Sequence, residues 1–278
     1  DDKDMRLATL CGMSAVFAAL FGTPLTATLF ALEVISVGVI YYSALVPCIV
    51  ASLFALEMAN IFGIAPTHFD VVIEPISELM LLKVSALAIV CSLMSTVYCL
   101  SMHKTEHLFA KLIKNPYLRI AAGGALVVLI TAILGTGDYN GAGMNIIKRA
   151  IEEGQAKPDA FFWKLVLTAI TIGCGFKGGE VVPTFFIGAT LGCVLGSLLG
   201  MPAGFAAALG LICVFCGAVN CPVASIVLSI ELFGSTDLVY FALACGIAYM
   251  LSGYFGLYSS QKIMYSKLKA EFINIHAK

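Results

Sequence analysis

The sequence predicts an all-α membrane protein built from tilted, interrupted helices, and three observations carry that expectation. Hydrophobic residues fill 60% of the 278 positions and charged ones only 12%, with a mean hydropathy of +0.98, too little polar surface for a water-soluble shell. No Lys or Arg occurs between Lys177 and Lys262, and the acids in that interval are Glu180, Glu231 and Asp237 alone, as expected of chain lodged in lipid or packed within it. Gly and Pro interrupt apolar chain at Gly22-Thr23-Pro24, Gly178-Gly179-Glu180 and Asn220-Cys221-Pro222, a pattern tolerated at membrane depth where broken helices line a cavity or pack within protein.

Taken in order, the apolar segments run from Leu7 to Phe21, Leu25 to Phe62, Leu79 to Met102, Ile120 to Leu134, Phe161 to Cys174, Val181 to Leu199, Gly204 to Val219, Val223 to Phe233 and Leu238 to Leu257. Several fall short of the roughly 20 residues that a perpendicular span requires, which is why tilted and broken helices are expected. The whole of 1–278 reads as one transmembrane domain. The tail after Leu257 is too short for a further folded regulatory domain.

A net charge of −1 and the absence of a basic patch with interleaved aromatics argue against a nucleic-acid partner. The ten cysteines sit in apolar runs and read as small buried hydrophobes, the Cys213-x-x-Cys216 pair included. His68, His103, His107 and His276 form no metal cluster, so neither a metal nor a cofactor is expected. No nucleophile–base arrangement suggests an enzyme. No signal peptide is visible in the opening Asp1-Asp2-Lys3-Asp4.

The loops suggest an orientation. Gly63 to Glu78 carries Asp70, Glu74 and Glu78 without Lys or Arg, whereas His103 to Arg119 carries Lys104, Lys111, Lys114 and Arg119. By the positive-inside rule the second region, and the tail with Lys262, Lys267, Lys269 and Lys278, face the cytoplasm of a multi-pass cell-membrane protein.

An internal repeat relates 21–33, FGTPLTATLFALE, to 219–231, VNCPVASIVLSIE, with Pro nine positions before Glu in both. Pro at a helix start costs little, because the first N–H groups lack intrahelical partners. A lone Glu at the far end of an apolar helix must find a donor or water. Glu33 and Glu231 are therefore read as structural carboxylates that tie helix ends to neighbouring backbone. Glu57, also in an apolar run, has no evident partner.

Residues 173–188, GCGFKGGEVVPTFFIG, match GxGxxG at their start. A dinucleotide site would need a soluble βαβ unit and an acid about 20 residues on, and no acid follows Glu180 until Glu231. Instead, Gly178 and Gly179 let the chain unwind before a helix that starts near Val181, with Val182 and Pro183 in its first turn. Unpaired N–H groups and a partial positive charge at that start make an anion site. Gly188, Gly192, Gly196 and Gly200 recur every fourth residue, as in close helix packing.

Gly-Gly-x-x-x-Pro opening a helix, between two Pro-to-Glu helices ending at Glu33 and Glu231, resembles the CLC family of chloride channels and anion/proton antiporters. Gly256-Leu257-Tyr258-Ser259 is similar to the family's pore-tyrosine segment; Tyr265 is the competing tyrosine. The resemblance covers essentially all of the chain and implies a CLC-like inverted-repeat architecture and a homodimer. It implies that the backbone N–H groups of Glu180 and Val181 face a central anion and that the Tyr258 hydroxyl donates to it. The family's earlier segments, with its first anion-binding loop and gating glutamate, have no counterpart here, so the chain reads as the C-terminal part of the fold.

Two departures resemble the fluoride/proton antiporter branch: an acid, Glu180, before Val181-Val182-Pro183, and Val34 where chloride/proton exchangers carry an internal proton-transfer glutamate. A carboxylate beside an anion needs compensation. The helix N-terminus stabilises its ionised form, while its protonated form donates a hydrogen bond to the ion. Glu180 is thus the proton-coupling candidate, its alternative being a helix-start residue facing a vestibule. Lys177 has two readings, attraction of anions and a snorkelling lysine. The expected activity is fluoride export driven by protons. A chloride channel or chloride/proton exchanger is the alternative within the family, and an organic-solute secondary transporter the alternative outside it.

Overall fold

A computed structural model describes residues 2–72, 75–235 and 238–278, with side chains from Asp4 onward. Asp1, Glu74 and Asp237 lie outside the described residues. Among the described residues eleven α-helices follow in order: α1 (Asp2–Phe21), α2 (Pro24–Glu33), α3 (Leu45–Ile61), α4 (Glu78–Leu112), α5 (Pro116–Leu134), α6 (Met144–Glu152), α7 (Ala160–Gly173), α8 (Val181–Leu199), α9 (Ala203–Val219), α10 (Pro222–Phe233) and α11 (Leu238–Leu251). Among the described residues, five helices are long and apolar enough to cross a membrane, ending at Phe21, Ile61, Leu112, Leu134 and Leu199. The 35 residues of α4 reach about 52 Å at 1.5 Å per residue, well beyond a ~30 Å hydrocarbon core, so α4 must tilt or project.

Within the apolar stretch from Leu25 to Phe62, α2 stops at Glu33, as its Pro-to-Glu pattern predicts, and β1 (Ser36–Val37) and a 3-10 turn (Tyr42–Ala44) precede α3. The fold is helical apart from one small sheet. After α11 the chain forms β2 (Lys262–Tyr265) and β3 (Phe272–His276), antiparallel to each other, with β2 parallel to β1 through Ser36↔Lys262 and Val37↔Ile263. Gly200, grouped with the packing glycines, instead ends α8 in the left-handed conformation at φ 61°, the usual glycine C-terminal cap.

The two repeat copies share backbone as well as sequence. Gly22 and Asn220 are both left-handed, at φ 74° and 60°, and Thr23 and Cys221 cap the following helices at nearly the same angles, φ/ψ −121°/77° and −119°/74°. Each helix end then binds the other's start. The Glu231 carboxylate accepts from Leu25 and Thr26 N–H at 3.0 and 2.8 Å, and that of Glu33 accepts from Val223 and Ala224 N–H at 3.3 and 2.9 Å. Reciprocal capping of this kind requires α2 and α10 to run in opposite directions, which is an inverted repeat. It also satisfies four N–H groups that the helices leave without intrahelical partners.

The core is centred on α8 and α9, where nearly every side chain of α9 is buried. A Cβ on Gly188 would overlap the carbonyl of Gly210, and one on Gly192 that of Ala206, so these glycines let two backbones touch. Gly188→Val is therefore expected to lower the thermal unfolding midpoint in detergent, through overpacking of about 1–3 kcal/mol or more. Gly246→Ala, whose Cβ would meet nothing within 4 Å, serves as the neutral control.

Candidate functional site

The broken segment before α8 ends at Glu180, which caps the helix in a near-helical conformation (φ −100°, ψ −17°) without any side-chain hydrogen bond to it. Pro183, third in the helix, removes a donor that would have had no partner, leaving the amides of Val181 and Val182 without an acceptor among the described residues at the positive end of a 19-residue helix. Tyr98, fully buried in the middle of α4, donates its hydroxyl to the Glu180 carbonyl at 2.9 Å and so fixes the cap. Nothing in the sequence marked Tyr98, because an aromatic in an apolar helix usually only packs.

Tyr258 approaches from the other end of the chain. Leu257 N–H donates to the Ala218 carbonyl at 2.8 Å, and a turn closes with Gln261 N–H on the Tyr258 carbonyl at 3.0 Å. Tyr258 and the Gly178–Val182 segment line one cavity of about 540 Å³, walled on its far side by Met13, Val16 and Phe17 of α1. The Tyr258 hydroxyl makes no hydrogen bond among the described residues. Tyr265 is 47% exposed, its ring against Phe272 on the small sheet, which decides between the two tyrosines as neighbours of α8.

Two further cavities meet the same segment. One of about 230 Å³ is lined by Glu180, Tyr258, His103, Glu106, Ser259 and Ser260, giving Glu180 a polar face toward solvent-accessible groups. His103, unmarked in the sequence, pairs its Nε2 with the Gly256 carbonyl at 2.9 Å, two residues before Tyr258. The other, about 530 Å³, is lined by Gly178, Gly179, Val182, Pro183 and Lys164. Lys164 is 2% exposed and donates to the carbonyls of Tyr139 and Gly141, which pins that loop beside α8. Lys177 is exposed.

A Gly-Gly break, an acid at a free helix start and a tyrosine facing it from the opposite end of the chain form a combination that can be compared with known proteins. A family model described as voltage gated chloride channel matches residues 1–253. The chain belongs to that family. A curated relative from Pseudomonas syringae pv. tomato, named "Chloride/fluoride channel protein", is 38% identical over 272 residues, covering 95% of this chain and 60% of that protein. A solved CLC-type fluoride/proton antiporter superposes with a TM-score of 0.86 at 33% identity, covering 90% of this chain and 64% of that one. A slow cyanobacterial chloride/proton antiporter superposes at 0.71 with 18% identity over 91% of this chain and 62% of that one, a likeness of fold alone. The chain thus spans less than two thirds of the length of these CLC relatives.

Proposed function

We propose that this chain forms the C-terminal part of a CLC fluoride/proton antiporter, with the anion held between the amides at the start of α8 and the Tyr258 hydroxyl. The observation that carries this reading is the meeting of Glu180, Val181 and Tyr258 around one cavity, although Glu180 and Tyr258 stand 78 residues apart in the sequence. Small, strongly hydrated fluoride gains more than chloride from short, strong donors, and a protonated Glu180 would be one. Glu180 touches both the anion cavity and the polar cavity beside His103 and Glu106. In this reading it takes up a proton from the polar side, donates to fluoride while protonated, and returns to its ionised form under the helix N-terminus after the ion leaves.

The basic junction between α4 and α5 and the lysine-bearing tail are assigned to the cytoplasmic side of the cell membrane, and the protein to a homodimer. A passive channel is the second reading, favoured by the word "channel" in the name of the Pseudomonas relative. An organic-solute transporter has no support from the family.

Fluoride and chloride efflux from liposomes holding the full-length protein, recorded together with proton uptake, tests the assignment. Fluoride efflux with proton uptake at a fixed ratio is the expected result. Anion flux that leaves the pH unchanged would assign a channel, and chloride-preferring exchange would move the protein to the chloride branch.

A further inference from the structure

The C-terminal tail folds a partly buried lysine back against the helices. Lys267, from the connection between β2 and β3, donates its ammonium to Asn220 Oδ1 at 2.5 Å and to Ser252 Oγ at 2.9 Å, 4.5 Å from the centre of the Tyr249 ring. Asn220, the left-handed cap of α9, uses its Nδ2 to donate to the Phe255 carbonyl at 2.9 Å and to Gln261 Oε1 at 2.8 Å. Gln261 Nε2 in turn donates to the carbonyls of Val34 and Val219, at 2.7 and 2.8 Å. Phe255 and Gln261 are the two ends of the turn that carries Tyr258.

The amide of Asn220 has one acceptor and two donors, and an ammonium has donors only. Lys267 therefore acts together with the acceptor-only carbonyl of Phe255 to set which way that amide points: flipped, it would set NH₂ against NH₃⁺ and withdraw its support from both ends of the turn. A partly buried ammonium with no carboxylate partner among the described residues adds little to folding, so an apolar side chain of similar length would fill the space about as well. What the charge adds is a donor-only partner for Asn220 Oδ1, since a neutral amine could turn to accept instead.

We propose that Lys267 is a positioning residue for the anion site, holding the turn from Phe255 to Gln261 through Asn220 so that Tyr258 meets α8. The proposal rests on the role assigned to Tyr258 above. Burial brings the ammonium down to about 8, so the charge is lost within a range that an assay can reach. The groups facing it are the thiols of Cys99, Cys216 and Cys221 and the Tyr249 ring. Glu33, which also faces Cys221, is committed to the start of α10.

The test is the concentration dependence of fluoride efflux from liposomes between pH 6.5 and 9, for the native full-length protein, Lys267→Arg, Lys267→Met, Tyr258→Phe and the double variant Lys267→Met/Tyr258→Phe. Beyond the pH dependence that proton exchange gives every variant, the native KM is expected to rise up to about ten-fold as pH passes through ~8, at most one hydrogen bond's worth of binding, as the donor-only ammonium gives way to a neutral amine. Lys267→Arg, which keeps its charge, removes that rise, and Lys267→Met shows the raised KM throughout. The double variant adds nothing to Tyr258→Phe, because both act through one contact. A pH dependence identical in native protein and Lys267→Arg overturns the proposal, and so does additivity in the double variant. If Lys267→Met does not fold, the native and Arg profiles still decide. Should Tyr258→Phe itself leave KM unchanged, the assignment of Tyr258 falls and this proposal falls with it; a sensitive Tyr258→Phe beside an insensitive Lys267 sinks this proposal alone.

Discussion

Glu180→Gln is expected to remove proton uptake from fluoride efflux, by at least ten-fold, while the protein still folds. The size follows from what a positioned proton-transfer group contributes, about 10²- to 10⁴-fold. Glutamine keeps the shape and a donor N–H, so it can still face an anion from the start of α8, but it cannot exchange a proton. The cap itself does not depend on the carboxylate, because the Glu180 side chain makes no capping bond and its backbone is held by Tyr98. Stability and coupling therefore separate in this variant. Measured side by side, an unchanged unfolding midpoint with lost proton uptake supports the proton role. Unchanged coupling would return Glu180 to a helix-start residue at the edge of a vestibule.

Glu33→Ala is expected to be the most destabilising single change among the acids, by about 2–4 kcal/mol, since it strips a charged acceptor from two N–H groups at the start of α10 and leaves that of buried Ala224 without a partner. Glu33 is 7% exposed, so water cannot take over. Its counterpart Glu231 binds Leu25 and Thr26 in the same way but is only half-buried, and Glu231→Ala should cost less. Glu33→Gln should fall between native and alanine, because an amide oxygen can serve one N–H while its NH₂ confronts the other. Thermal unfolding in detergent ranks the three. Equal, small losses for Glu33→Ala and Glu231→Ala would mean that the reciprocal caps contribute little beyond geometry.

The resemblance drawn from a few short motifs agreed with the family match and with the superposition on the antiporter. Motifs of that kind survive in sequence because each depends on neighbours in the chain. Gly178-Gly179 before Pro183, and Pro24 and Pro222 before their glutamates, set backbone conformations that only those residues adopt at low cost. The stretch from Leu25 to Phe62 shows the limit: the Pro-to-Glu pattern marks the helix end at Glu33, but hydropathy is continuous across Ser36–Val37, and only pairing with β2, more than 200 residues later, makes that piece a strand.

By itself the sequence determined a membrane protein of broken helices, its duplicated Pro-to-Glu helix, and a Gly-Gly break before a helix start near Val181, since composition and local backbone preference act over a few residues. The tertiary structure alone decided that Glu33 and Glu231 cap each other's helices across some 190 to 206 residues. It also decided that Tyr258, not Tyr265, faces Glu180, and that a tail lysine reaches Asn220. These are pairings between distant segments, and their partners are chosen by which surfaces the packed helices bring together, a choice that no stretch of neighbouring residues encodes.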